Sequence, residues 1–158
     1  SLAHSNKGKI KFINAISTPM KSFKENQLFA IEKFLIWDRY KFYIISQTLY
    51  LFEGYFDAIH NKIISESLTQ KVNQWKDQFP NLYLPLNSNN LPKMPHPDDI
   101  NCTEGTDISK IDCPIYFQYG ENGALVNIGY ALKQIQRKQN VKNSQYKDAE
   151  HYMDITIR

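Results

Sequence analysis

The residue best suited to chemistry in this chain is His151, set in the run Ala149-Glu150-His151-Tyr152-Met153-Asp154. Upstream, residues 113–126 read CPIYFQYGENGALV, an apolar strand pattern that runs into a Gly-Glu-Asn turn. An imidazole beyond one strand and a carboxylate-bearing turn beyond another are what a general base and its orienting acid require. Their spacing suggests the rear half of a hydrolytic site, whose front half would be a Ser on a strand-to-helix elbow. No Gly-x-Ser-x-Gly occurs. Ser5, within Ala3-His4-Ser5-Asn6-Lys7-Gly8, imitates the motif loosely. The strand pattern of residues 9–17 follows it almost at once, where an elbow needs a helix, so the geometry fails.

Other chemistry has weaker support. His4, His60, His96 and His151 are scattered, and Cys102 and Cys113 stand too far apart for a zinc knuckle, so no metal site is expected. The two cysteines could close one small disulfide loop, which by itself fixes no redox compartment. Asp98-Asp99 after Pro97 reads as a turn cap rather than a cation site. The glycines at 8, 54, 105, 120, 123 and 129 form no phosphate loop, and no cofactor is implied. A net charge of +3, with Lys far outnumbering Arg and no dense basic patch, argues against nucleic acid as a partner. Asn101-Cys102-Thr103 is a glycosylation sequon that matters only on the secretory route.

The elements that must position these groups follow from periodicity. A chain of 158 residues with 42% hydrophobic content can bury one real core. Residues 9–17 predict a short strand ended by Thr18-Pro19. Residues 22–47 predict a long helix, Gly54 a break, and residues 55–79 a second helix with Leu68, Val72 and Trp75 on its apolar stripe. Glu32, Lys33, Asp38, Arg39 and Lys41 interrupt the most apolar window, so no transmembrane span is expected. The aromatics Trp37, Tyr40, Phe42, Tyr43, Tyr50, Phe52, Tyr55 and Phe56 either bury a helix against a sheet or partner, or line a lipid-accepting groove. The Pro- and Asn-rich residues 80–112 read as an irregular connection. Then come a strand over residues 114–119, a turn at 120–123, a helix over 125–138 and a short strand over 143–147. The helix carries Ile128, Ala131, Leu132 and Ile135 on one face. That order implies parallel strands joined by crossover helices.

From Asp107 onward the chain resembles the C-terminal part of an α/β-hydrolase of the acid lipase branch. Asp107, Ile108, Ile111, Pro114, Gly120, Leu125 and Val126, then Glu150, His151 and Asp154, fall on that family's pattern. Residues 9–17 with Thr18-Pro19 look like the strand that follows the nucleophile helix, and the helical region after them looks like the family's cap. The fold implied is α/β: a partial α/β-hydrolase-like parallel sheet with a long helical cap insertion. Residues 1–158 would form one domain, with the cap at about 20–80 and the irregular connection at 80–112.

The resemblance sets His151 at the catalytic base and Gly123 at the acid position, where there is no side chain. The Asn122 amide carries no charge to support an imidazolium, and Glu121 stands two positions early. Loss of the acid from such a triad lowers turnover by roughly 10⁴-fold. Rescue by Glu121 or Glu150 is the alternative. Residues 1–7 fit the tail of the nucleophile helix, which sets the elbow before Ser1. The expectation is a non-catalytic, hydrolase-derived structural or accessory subunit of a larger assembly, with His151 a remnant base. Its partners would be other protein subunits, with lipid contact in the cap region. The compartment would be mitochondrion-like, or secretory or lysosomal for a lipase. One alternative is a lipase or esterase seen as its C-terminal portion, and another is a small helical binding module without a sheet.

Overall fold

The computed structural model describes residues 9–61, 63–80, 82, 107–109, 111–136 and 138–149. The fold is mixed α/β, a small parallel sheet flanked by helices. Strand β1 (Ile13–Ile16) is followed by helices α1 (Phe23–Trp37), α2 (Phe42–Asn61) and α3 (Glu66–Gln78). Then come β2 (Ile115–Gly120), α4 (Ile128–Ile135) and β3 (Val141–Tyr146). The strands lie in the order β1-β2-β3, all parallel, with Ile13 opposite Ile115 and Ile115 opposite Val141. The parallel pairing with helices in the connections is borne out. The chain divides into two compact units, residues 1–30 with 104–158, and residues 31–103.

In the sheet unit the two-residue alternation of β2 decides which face is dry. Ile115, Phe117 and Tyr119 are buried among Met20, Ile108, Ile111, Val126, Ala131 and Ile135. Ala131 and Ile135 come from α4, so the three-to-four spacing of that helix buries the face expected of it. Asn127 starts α4 by accepting from the Tyr130 N–H at 3.0 Å. The Lys138 ammonium then ties the chain ahead of β2 to the end of α4. It donates to the carbonyl of Ile108, to that of Ser109 at 2.8 Å and to that of Ile111 at 3.4 Å. Asn140 donates alongside it to Ile111 and Cys113.

Helix α1 begins at a reciprocal cap. The Glu25 N–H donates to Ser22 Oγ at 3.2 Å, while Glu25 Oε2 accepts from the Ser22 N–H and hydroxyl. The Ser22 hydroxyl, and then Lys21, hold the Glu25 carboxyl below the ordinary carboxylate range.

Both expected boundaries of the long helices are corrected. The first break falls at residues 38–41, not at Gly54. There the Arg39 N–H donates to Ile36 and the Tyr40 N–H to Leu35, both at 3.0 Å, with Arg39 at φ 59. This is the Schellman ending, in which the left-handed position usually belongs to Gly. Gly54 instead lies inside α2, where a Cβ would stand 3.2 Å from the Leu68 side chain, so its smallness serves the approach of α2 and α3. The second break precedes Ser65, which caps α3 by accepting from the Leu68 N–H. Buried Ile44, Ile45, Thr48, Leu51, Phe52, Tyr55 and Phe56 recur down α2 at three-to-four spacing.

Candidate functional site

In a parallel α/β sheet, ligand chemistry gathers at the carboxyl ends of the strands, and the expected constellation belongs there. Beyond β2 the chain turns through Glu121 and Asn122 to Gly123, whose N–H donates back to the Gly120 carbonyl at 3.0 Å. The turn is stitched to the chain beyond β3. The Glu121 N–H donates to Tyr146 at 3.0 Å and the Asn122 N–H to Ala149 at 2.9 Å. Ala149 is buried, and Asp148 before it sits at φ 60. The two loops that would hold an acid and a base are therefore neighbours through backbone bonds.

The side chains on those loops give less. Gly123 offers no group, and Glu121 and Asn122 point to solvent. Beyond β1, Ser17 is buried at φ 47, and the Thr18 carbonyl accepts from the Tyr119 hydroxyl at 3.1 Å. Burial pushes the Tyr119 phenol well above its ordinary value. Ser5, Glu150, His151 and Asp154 lie outside the described residues. Among the described residues this end of the sheet contains no hydrogen-bonded nucleophile and base.

Cys113 is half-buried with a free thiol, and Cys102 lies outside the described residues. No cluster of three metal-ligating side chains occurs among the described residues. No described helix is long and apolar enough to cross a membrane.

The second face of the sheet is open. Phe12, Asn14 and Ile16 of the β1 segment, Tyr116 of β2, and Lys142 and Tyr146 of β3 are exposed on it. Its polar groups satisfy one another across the strands. Gln118 donates to Asn14 at 2.7 Å and accepts from the Tyr146 hydroxyl at 2.9 Å, while Tyr116 and Ser144 share a 2.7 Å bond. The bond to Ser144 lowers the Tyr116 phenol below its ordinary value.

In the helical unit the aromatic run splits in two. Phe52, Tyr55 and Phe56 are buried, whereas Trp37, Phe42, Tyr43 and Tyr50 are exposed. Tyr43 leans on Phe79, which packs on Trp75 with ring centroids 4.4 Å apart. An open groove of about 560 Å³ runs beside α2 and α3, lined by Tyr50, Glu53, Asp57 and Lys71 among others. Lys71 closes part of it by donating to the Tyr50 hydroxyl at 3.2 Å. On α2 the exposed rings differ from the buried ones only by their register, whereas Trp37 ends α1.

Comparison with protein-family models, with curated proteins and with solved structures finds no match to this chain.

Proposed function

We propose that this chain is a non-catalytic, hydrolase-derived protein that works as a structural or accessory subunit of a larger assembly. The observation that carries the reading is the turn after β2. Its backbone is bonded to the loop beyond β3, as acid and base loops would be, yet Gly123 takes the place where the hydrolase pattern sets a carboxylate. The element order supports the ancestry. A helical insertion between β1 and β2, then a single helix between β2 and β3, is what the rear half of a capped hydrolase sheet would give.

The open sheet supports the subunit role. Parallel sheets are as a rule covered on both faces, and exposed edges invite pairing. Here one face is exposed, and β1 and β3 are both edges among the described residues. A neighbouring subunit laid on that face would complete the layer.

A lipase or esterase is the second reading. The same backbone bridge favours it, because it holds Glu121 beside the loop that precedes His151 in the chain.

Two measurements test the proposal together. The native mass is expected to be several times the denatured mass. Hydrolysis of a short-chain p-nitrophenyl ester is expected to be the same for the protein and for His151→Ala. A rate that depends on His151 would overturn the non-catalytic reading in favour of the esterase. Equal native and denatured masses would overturn the subunit reading.

A further inference from the structure

We propose that β1 pairs antiparallel with β1 of a second copy of this chain, joining the two sheets into one across a two-fold axis at Asn14. The inference rests on the subunit reading above and deepens it by naming the partner.

Two observations meet at the same three residues. The first concerns the backbone. The Ile13 N–H donates to the Pro114 carbonyl at 2.9 Å and the Ser17 N–H to that of Gln118 at 2.8 Å. With Ile13 opposite Ile115, the alternation of a parallel ladder turns Ile13, Ala15 and Ser17 toward β2. Phe12, Asn14 and Ile16 therefore turn their N–H and C=O groups outward. Among the described residues these groups meet one partner, the Thr18 hydroxyl, which donates to the Ile16 carbonyl at a long 3.5 Å. The second concerns the side chains. Phe12 is 70% and Ile16 53% exposed, more than any other large apolar side chain among the described residues of the sheet unit.

The backbone selects the kind of occupant. An outward row of N–H and C=O groups is matched in register by another strand, which a lipid surface or a small molecule does not supply. Of the two edges, β3 is guarded. Its Asn140 and Tyr146 carbonyls accept from the β2 side, so Val141, Asn143 and Gln145 face outward, and the strand carries Lys142. A lysine on an edge discourages pairing. The β1 strand, Ile13–Ile16, contains neither a charge nor a proline.

The β1 segment also fits its own reverse. About a two-fold axis at Asn14, every outward residue meets an outward residue of the second copy. Phe12 meets Ile16, and Asn14 meets Asn14. An aromatic ring opposite a β-branched side chain is a favourable cross-strand pair, and the symmetry makes it twice. Ile13 falls opposite Ala15 on the core face, where both are half-buried. Lys11 falls past the end of the opposing strand, so no like charges meet. One contact thus satisfies the outward backbone groups and covers the apolar β1 row.

The test is sedimentation equilibrium of the chain purified alone, from micromolar to millimolar concentration. A monomer–dimer equilibrium is expected, rising toward twice 18.5 kDa. Phe12→Lys alone and Ile16→Glu alone are each expected to weaken the dimer by about tenfold. The two together are expected to recover most of that loss, because each introduced lysine then faces the introduced glutamate of the other copy. Amide hydrogen exchange of the unaltered chain checks the pairing without any substitution. The Asn14 and Ile16 N–H groups are expected to gain protection as concentration rises, while Ile13 and Ala15 are protected throughout.

A dimer indifferent to these substitutions would overturn the pairing, as would a double variant weaker than either single one. A chain that stays monomeric alone, yet runs at several times its mass in native extracts, would also overturn it. The subunit reading would then stand with a foreign partner. A chain monomeric in both settings would overturn both.

Discussion

Arg39→Gly and Lys41→Ser are expected to make the helical unit more stable. The left-handed region costs an ordinary L-residue about 1–2 kcal/mol. Glycine at Arg39, which sits at φ 59, would recover that and give back about 0.5–1 kcal/mol in backbone entropy. The net gain is roughly 0.5–1 kcal/mol. At Lys41, a Ser side chain able to accept from the first free N–H groups of α2 contributes about 1 kcal/mol. Removing a cation from the positive end of the helix adds roughly 0.3 kcal/mol.

Together the two changes amount to about 2 kcal/mol if neighbouring turn positions do not couple, so each is made singly before the pair. With a urea dependence of about 1–2 kcal/mol per molar, the pair moves the unfolding midpoint up by roughly 1 M. Far-ultraviolet circular dichroism reads that midpoint. A midpoint that stays or falls would refute the reasoning, because Arg39 and Lys41 would then hold contacts that outweigh their backbone costs.

Three further outcomes are expected. Thr48 is 1% exposed and its hydroxyl has no hydrogen-bond partner among the described residues. Thr48→Val keeps the shape and helix propensity, and is expected to add about 1–2 kcal/mol in urea unfolding. A loss would mean that the hydroxyl is satisfied. Lys138→Met removes the ammonium shared by the Ile108, Ser109 and Ile111 carbonyls, and is expected to cost the sheet unit about 1.5–3 kcal/mol. Lys138→Arg should not rescue it, since a planar fork cannot place one point charge among three oxygens. Tyr119 has its phenol pushed up by burial, so its contribution is intact below the ordinary value of about 10 and is lost as pH rises through the folded value. Tyr119→Phe should flatten that alkaline limb in pH-dependent unfolding while costing about 1 kcal/mol for the lost bond to Thr18.

The sheet unit was legible wherever one face of an element is dry. Alternation in Ile115, Phe117 and Tyr119, and the spacing of Ile128, Ala131, Leu132 and Ile135, each report burial directly, and the structure buries or half-buries every one of them. The break between α1 and α2 was not legible, because the residues that make it depart from the compositional rule. Arg39 does the work of a Gly, while Gly54, which looks like a breaker, is retained by its approach to Leu68. The Lys138 tie depends on bringing a helix end against a segment far upstream, and no local pattern encodes that. That Gly123 has no side chain is plain from the sequence. The backbone bond from Asn122 to Ala149, which makes its place meaningful, needed coordinates.

The open sheet face bears on how a subunit could exist both free and assembled. A bare parallel sheet would expose apolar rows suited to helices, and such a face aggregates. This one is most apolar along its β1 row, at Phe12 and Ile16, and becomes mixed toward β3, where Lys142 and Ser144 stand beside the Tyr116 and Tyr146 rings. Its Asn14, Gln118 and Tyr146 side chains form one chain of bonds across all three strands, and Tyr116 and Ser144 form a second pair. Burial is costly for polar groups that lose water and gain nothing. Groups already bonded to each other avoid much of that cost, so a partner can cover Asn14, Gln118, Tyr116, Ser144 and Tyr146 without supplying matching donors and acceptors, and needs an acceptor only where it covers Lys142. The face is tolerable in water and inexpensive to bury, and its apolar β1 row gives a partner something to gain.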